Sequence, residues 1–317
     1  MDIGRIGAAV KSFRIEDLRR SEDIKTGNLA PSGSFVSTEQ ESVDNTEVIT
    51  FGSLFSGGGG LDKGLEDAGL KCVFQVENDR HCLTILNKHW PDVPKNEIRP
   101  CMGLVGGDPC PIRSRASFLR GTIKPDLSGY FLAMAARCKP RWILRENVPS
   151  PDAVDFHAAL VLLGYRSIIV GMDSAAFTGQ SRRREFVAAF NEQELLDRFI
   201  GQAHDAEDDK RHCTAKYQAS KAWMGPPLYC LTARSFQLDC RENYVWEGPQ
   251  RGLRLLSHAE RESLQGFPPG WTMWGIDANG KRCAIPNGAR ECAVGNAVTV
   301  PVARWLGERI REALKNP

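Results

Sequence analysis

The sequence of 317 residues lacks the marks of several protein classes. It contains no apolar run close to the roughly 18–20 residues that a membrane-spanning helix needs. Residues 1–20 hold no basic segment followed by an apolar run, so a secretory signal peptide is not indicated. The composition, with 42% hydrophobic and 25% charged residues, is unlike that of a disordered or collagen-like chain. These absences predict a globular cytoplasmic protein that does not contact a membrane.

The ten cysteines lack the spacing of metal ligands. None forms a Cys-x-x-Cys pair, and no cysteine–histidine spacing matches a zinc site, so we expect reduced thiols and no bound metal. Charge of one sign is also scarce, because 41 basic side chains oppose 39 acidic ones and the net charge is only +2. That balance argues against a chain coated in positive charge, but it is compatible with a local basic groove.

Residues 1–46 differ in composition from the rest of the chain. Residues 26–46 are rich in Gly, Ser, Thr, Asn and Glu and contain no Lys or Arg, which is typical of a mobile linker. Residues 3–18 are more apolar and either form a short docked helix or stay unordered. We therefore predict a partly disordered N-terminal extension.

From residue 48 onward, strand patterns alternate with helical patterns. The predicted strands are 48–54, 72–76, 102–107, 142–145, 167–172 and 185–190. The predicted helices are one that follows the glycine run, one capped by Asp79, and those at 153–164 and 300–314. This alternation favours an α/β fold with a mostly parallel sheet and helices on both faces. We predict a main domain at 47–190, a small polar insert or second lobe without clear strand–helix alternation at 191–254, and a return to the main domain at 255–317.

A glycine-rich loop, FSGGGG at 55–60, joins the first strand to the first helix. Its glycines let the backbone approach a ligand closely at the carboxyl edge of the sheet. The GxGxxG and Walker-A patterns are absent from it, which disfavours a dinucleotide or a nucleoside triphosphate. Glu77, at the end of the next strand, can accept hydrogen bonds from ribose hydroxyls. The pair favours a nucleoside-type cofactor such as S-adenosylmethionine, and a ligand-free turn with a solvated acid is the alternative.

Three further features lie at predicted strand ends. Cys110 follows the third strand between two prolines and can be a nucleophile if nearby positive charge stabilises its thiolate. Glu146 ends the following strand within Arg-Glu-Asn-Val. Arg182 and Arg184 alternate ahead of the last strand, so they can clamp one group together. A half-buried thiol, a surface acid and a surface basic cluster are the alternative interpretations.

Taken in order, these motifs resemble those of the cytosine-C5 DNA methyltransferases. The matching segments are LFSGGGGLDKGLEDAGL, VEND, DPCP, RENV, QSRRREF, LLSHAERESLQGFPPGW and VGNAV, within residues 48–315. The resemblance implies a Rossmann-like, S-adenosylmethionine-dependent methyltransferase fold and DNA (cytosine-5-)-methyltransferase activity. It also implies a monomer that binds double-stranded DNA in the nucleoid, either an orphan, a phage-type enzyme or one linked to a restriction endonuclease.

The resemblance assigns a role to each matching residue. Cys110 adds to C6 of the cytosine, and Glu146 binds N3 and the exocyclic amine. Arg182 and Arg184 bind the base O2 and orient Glu146. Because the reaction uses both faces of the ring, the target base must leave the helical stack. The implied cofactor pocket is formed by Phe55, Gly57, Gly60, Glu77, Asn78, Asp108 and Asn296.

The sequence departs from the family pattern around the cysteine. Asp108 replaces the usual aromatic residue, and Pro111 replaces the usual glutamine. Asp108 can still contact the cofactor through its backbone, but a carboxylate beside Cys110 raises the thiol pKa and slows attack. Arginines of the next loop are candidates to offset it, namely Arg113, Arg115 and Arg120.

The recognition region, 191 to about 230, is short for the family and is not basic. It can present few side chains to the major groove, which predicts a target of about one to four base pairs.

Three other activities remain as alternatives. A tRNA-type cytosine-C5 methyltransferase also has a compact recognition region, but its Cys-Phe-Thr tripeptide is absent here. A catalytically weak relative that binds nucleic acid or cofactor is suggested by Asp108 and Pro111. An amino-methylating enzyme is suggested by Asp108-Pro109 and disfavoured by Cys110 and the Glu-Asn-Val strand end.

Overall fold

The computed structural model describes residues 48–109, 127–201, 228–232 and 243–315. Ile49–Pro317 forms one compact unit. Several predictions lie outside the described residues: the N-terminal extension 1–46, the nucleophile Cys110, and the loop arginines Arg113, Arg115 and Arg120.

A six-stranded sheet forms the centre of this unit. Its strands are β1 (Thr50–Leu54), β2 (Lys71–Val76), β3 (Gly103–Gly106), β4 (Trp142–Asn147), β5 (Arg166–Asp173) and β6 (Arg183–Phe190). Their order across the sheet is β2-β1-β3-β4-β6-β5. The pairs β1–β2, β1–β3 and β3–β4 are parallel, and β6 runs antiparallel to both β4 and β5. The predicted mostly parallel sheet is therefore confirmed.

The helices connect these strands and follow them. They are α1 (Gly60–Asp67), α2 (Arg80–His89), α3 (Ser128–Cys138), α4 (Asp152–Leu162), α5 (His258–Leu264), α6 (Asn287–Asn296) and α7 (Val300–Leu314). Asp79 caps α2 as predicted, because its Oδ1 accepts hydrogen bonds from the backbone N–H groups of His81 and Cys82, both at 2.9 Å. The predicted C-terminal helix is also confirmed.

Helix α7 returns the end of the described chain to the main body. Its apolar side chains Leu306 and Ile310 are fully buried in the same core as Phe51 of β1 and Trp142 of β4. The helix lies so close to α1 that a Cβ added at Gly64 would stand 2.5 Å from the carbonyl oxygen of Val300. Packing this tight holds the start of α1, and with it the glycine-rich loop, against the sheet.

Two short hairpins lie between β6 and α7. They are β7 (Tyr244–Trp246) with β8 (Leu253–Leu255), and β9 (Trp274–Ile276) with β10 (Arg282–Ala284). A helical segment also occupies 193–201. The described part of 191–254 therefore contains short regular elements, and its three-residue strands are too short to give a sequence pattern.

Helices α3, α5 and α6 also had no sequence prediction, and α3 shows why. Leu127 at its N-cap offers no capping side chain. Gly129, a poor helix former, occupies its first turn. The sequence therefore gives no signal for the start of α3. Phe131 and Leu132 of α3 are nevertheless buried, because packing against the sheet stabilises the helix.

Other properties can be stated for the described ranges alone. Within them, no helix has both the length and the apolar character required to cross a bilayer. Nor do they bring together three or more His, Cys, Asp or Glu side chains as a metal site. The seven cysteines in these ranges are free thiols: Cys72, Cys82, Cys101, Cys138, Cys230, Cys283 and Cys292.

Candidate active site

A cavity of about 680 Å³ opens at the carboxyl ends of the parallel strands. Every predicted site residue that the structure describes lines it, namely Phe55, Gly57, Gly60, Glu77, Asn78, Asp108, Glu146, Arg182, Arg184 and Asn296. Cys110 lies outside the described residues, but its neighbour Pro109 is part of the wall. Residues that are far apart in the sequence thus meet at one edge of the sheet, as parallel α/β folds arrange their ligand sites.

The glycine-rich loop forms one wall, and its conformation requires glycine. Gly57 and Gly59 have φ angles of 56° and 80°, in the left-handed region that favours this residue. A Cβ at Gly59 would stand 2.5 Å from the Trp90 ring, and one at Gly60 would stand 2.4 Å from the carbonyl oxygen of Val298. The loop is therefore pressed between α2 and the segment that follows α6, with its backbone facing the cavity.

Glu77 faces this loop at the end of β2. Its Oε2 accepts a hydrogen bond from the Gly57 backbone N–H at 2.6 Å. Its Oε1 accepts hydrogen bonds from the backbone N–H groups of Asn78 at 2.7 Å and Asp79 at 2.8 Å. These donors fix the carboxylate in one orientation, and Oε2, which accepts one hydrogen bond, keeps a free lone pair for a ligand hydroxyl.

Glu146 lies at the opposite end of the cavity, on β4. Its Oε1 forms an ion pair with Nε of Arg184 at 2.9 Å. Burial raises the pKa of Glu146 above its ordinary value, and the positive charges of Arg184 and Arg182 only partly oppose this effect. A buried carboxyl group with a raised pKa that faces a cavity is typical of a group that exchanges a proton with a ligand.

Arg182 also lines the cavity, and both of its terminal nitrogens bind other parts of the protein. One terminal nitrogen, Nη1, donates to the carbonyl oxygen of Leu231 at 3.0 Å and contacts the sulfur of Cys230 at 3.3 Å. The other, Nη2, donates to the carbonyl oxygens of Gly295 at 3.0 Å and Ala297 at 2.9 Å. Through these contacts Arg182 joins the segment 228–232 to the end of α6.

Asp108 has a partner that the sequence analysis missed. Its carboxylate accepts hydrogen bonds from Nε and Nη2 of Arg145, at 2.5 and 2.7 Å, and both side chains are almost wholly buried. The Asn147 side-chain amide also donates to the Asp108 carbonyl oxygen at 3.3 Å. Among the described residues, the cation that offsets Asp108 is therefore Arg145. One signal in the sequence could have indicated this pair: Arg145 is a charged residue in the strand 142–145, whose other residues have the apolar pattern of a buried strand.

The cavity wall includes other side chains that were not predicted: His81, Cys82, Asn147 and Cys292. Cys292 lies one helical turn before Asn296 on α6, so the two share a face. The helical spacing from the predicted Asn296 could have identified it.

Residues 49–224 match the family model of the C-5 cytosine-specific DNA methylases. The chain is 28% identical over 297 residues to the type II methyltransferase M2.BsuMI of Bacillus subtilis (strain 168), a match that covers 82% of this chain and 75% of that protein.

Two solved methyltransferase structures share the fold. The Entamoeba histolytica methyltransferase EhMeth superposes with a TM-score of 0.61 at 15% identity, over 86% of this chain and 100% of that one. The S. pombe Dnmt2 methyltransferase does so with a TM-score of 0.56 at 16% identity, over 81% and 96%. The predicted Rossmann-like methyltransferase fold is confirmed, and the chain belongs to the C-5 cytosine-specific DNA methylase family.

Proposed function

We propose that this DNA cytosine-C5 methyltransferase acts on a cytosine flipped out of double-stranded DNA, through a covalent bond between Cys110 and C6 of the base. The observation that carries the proposal is the placement of the Arg184–Glu146 ion pair in the same cavity as the glycine-rich loop and Glu77. One end of the cavity suits a nucleoside and the other suits the Watson–Crick edge of a pyrimidine.

The residues at the loop end fit S-adenosylmethionine. The fixed Glu77 carboxylate can accept hydrogen bonds from ribose hydroxyls, and the bare backbone of Gly57 and Gly60 lets a ligand approach closely. Phe55, Asn78 and Asn296 complete the lining. When bound, S-adenosylmethionine supplies an electrophilic methyl group for C5 of the cytosine.

Glu146 is proposed to bind N3 and the exocyclic amine of the base. Its raised pKa favours the protonated carboxyl that donates to N3, which withdraws electrons from the ring and makes C6 open to attack. The Cys110 thiolate then forms the S–C6 bond, and C5 gains the nucleophilic character needed for methylation. A base then takes the C5 proton, the C5–H electron pair forms the C5=C6 double bond as the S–C6 bond breaks, and Cys110 leaves as the thiolate.

The two arginines are proposed to have different roles. Arg184 binds the base O2 beside Glu146, since its guanidinium already lies at the acid and faces the cavity. Arg182 acts through its hydrogen bonds to backbone carbonyls and holds the cavity walls in place.

The proposed partner is double-stranded DNA, bound by a monomer in the cytoplasm. The type II relatives favour an enzyme linked to a restriction endonuclease over an orphan or phage enzyme. The alternative substrate, tRNA, has no specific observation in its favour, because likeness to the Dnmt2 structure at 16% identity speaks for the fold alone. A short target of about one to four base pairs stays a prediction, and bisulfite mapping of DNA after expression will measure it.

Methyl transfer from labelled S-adenosylmethionine tests the proposal. The full chain is offered unmethylated bacterial DNA, tRNA or no acceptor, and Cys110→Ala is compared with Cys283→Ala, which removes a thiol from the β9–β10 hairpin outside the cavity. We expect label in DNA for the wild type and Cys283→Ala, none for Cys110→Ala, and a covalent complex with DNA that contains 5-fluorocytosine. Transfer that survives Cys110→Ala, or that goes to tRNA alone, would overturn the proposal.

A further inference from the structure

The ion pair between Arg145 and Asp108 occupies an unusual place. Asp108 stands two residues before Cys110, and its carboxylate is fully buried. A buried carboxylate destabilises any anion that forms near it, including a thiolate, unless a cation neutralises it. The pair is therefore located where an uncompensated charge would oppose the chemistry directly.

Strand register accounts for the contact. Gly106 of β3 pairs with Arg145 of β4, so the turn that follows Gly106 passes beside the Arg145 side chain. The guanidinium donates from two nitrogens to the two carboxylate oxygens, the fork geometry that lysine cannot supply. The Phe156 ring lies beneath, with the guanidinium carbon 4.3 Å from its centroid, and blocks other positions of the arginine.

Strand β4 holds the turn 107–109 from both of its faces. Arg145 and Asn147 project from one face and bind the Asp108 carboxylate and carbonyl. Glu146 projects from the other face, and a Cβ added at Gly107 would stand 2.8 Å from its Oε2. The glycine lets the turn lie directly against the proposed catalytic acid.

We propose that Arg145 is a positioning residue, whose ion pair with Asp108 fixes the turn 107–109 against Glu146 and neutralises the carboxylate next to the nucleophile. The inference rests on the proposed function in one respect, the role of Cys110 as the nucleophile. The aromatic residue usual before Pro-Cys is thus replaced by a charged side chain that needs its own partner on the neighbouring strand.

The test uses four variants of the full chain: R145M, R145K, D108N/R145M and, as a control, R166M at the exposed start of β5. Two quantities are measured between pH 6 and 9.5. One is the rate of Cys110 alkylation by iodoacetamide, followed by peptide mass spectrometry, and the other is kcat for methyl transfer to DNA. Alkylation needs neither DNA nor cofactor.

We expect R145M to move the alkylation profile of Cys110 to higher pH, because Asp108 is left unneutralised, and to lower kcat by about 10-fold to 100-fold. D108N/R145M should return the alkylation profile to that of the wild type, because the carboxylate charge is gone. Its kcat should stay low, because the hydrogen bonds that hold the turn 107–109 are not restored. R145K should keep the profile and lose part of kcat. Where R145M does not fold, the kcat values of R145K and D108N/R145M still test the positioning of the turn 107–109.

The pH dependence of kcat also reflects Glu146, whose surrounding charged groups are Arg184, Arg182, Asp108 and Arg145. The alkylation series therefore decides the question of neutralisation. The inference would be overturned by an unchanged alkylation profile and unchanged kcat in folded R145M, or by unchanged kcat in both R145K and D108N/R145M. If the wild type transfers no methyl group to DNA, the proposed function fails, whereas the alkylation series still tests the ion pair.

Discussion

Two acid–arginine pairs lie side by side at the same edge of the sheet and differ in how they are closed. Glu146 meets Arg184 through one nitrogen, and their side chains are 10% and 17% exposed towards the cavity. Asp108 meets Arg145 through two nitrogens, and their side chains are 0% and 2% exposed. The first pair leaves its acid open to a ligand in the cavity, and the second encloses its acid within the protein. Glu146–Arg184 is called the open pair below, and Asp108–Arg145 the closed pair.

The largest loss of activity is expected when Glu146 of the open pair is replaced by a residue that cannot donate a proton. Glu146→Gln keeps the size of the side chain and a contact with Arg184 but cannot transfer a proton to N3. We expect methyl transfer to fall by about 10²–10⁴-fold, the usual contribution of a positioned acid. Labelled methyl incorporation into DNA measures it, with thermal unfolding as the control for folding. Activity within tenfold of the wild type would contradict the role given to Glu146.

The closed pair should matter more for stability than the open one. Arg145→Met leaves a buried carboxylate with no cation and should lower the free energy of unfolding by about 3–5 kcal/mol. Arg184→Met should have a smaller effect, because Glu146 can take up a proton or water from the cavity instead. Urea denaturation of both variants at one pH makes the comparison. Equal losses of unfolding free energy in the two variants would contradict the larger contribution expected of the closed pair.

The open pair also predicts a pH effect. Arg184 lowers the pKa of Glu146 against the stronger effect of burial, so Arg184→Met should raise that pKa further. If protonated Glu146 is the active form, kcat falls as pH rises through this pKa. The alkaline limb of the kcat profile should therefore move to higher pH in Arg184→Met, whatever the loss in absolute rate. A limb that moves to lower pH would exclude Glu146 as the titrating group.

A third buried acid, Asp62, differs from Glu146 and Asp108 because its described hydrogen-bond partners are neutral. The Oδ2 of Asp62 accepts a hydrogen bond from Nε2 of Gln75 at 2.8 Å, and burial raises the pKa of Asp62 to about 7. The folded state thus holds this proton more tightly than the unfolded state, whose ordinary pKa is 3.8, and stability falls as pH rises between those values. Asp62→Asn should raise the melting temperature more at pH 8 than at pH 5. Calorimetry at both pH values measures the difference, and an equal shift would contradict it.

The main elements of the fold could be predicted from local patterns. Apolar runs identified all six strands of the sheet, and Asp79 marked the start of α2. Direction was not accessible in this way, because whether β6 runs parallel or antiparallel depends on a connection and not on its own residues. Helix α3 was missed because packing and not capping stabilises it.

The site could be predicted only as a set of residues. The order of motifs and the family resemblance named ten described side chains that do line one cavity. The resemblance could not provide the Arg145–Asp108 pair, since that contact depends on the register of β3 against β4. Nor could it provide the partners of Arg182, which lie on segments far away in the sequence.

The packing of the glycine-rich loop has a consequence for the order in which the molecule is made. Gly58 and Gly60 lie against Ala293 and Val298, which the ribosome adds long after the first strand has emerged. A growing chain can form β1, β2 and the turn between them early, but one wall of the cofactor cavity is still missing. Binding of the methyl donor can therefore stabilise only a chain whose synthesis has passed residue 298. Until then, the cavity lacks the wall formed by Ala293 and Val298, and the glycine-rich loop is exposed to water on that side.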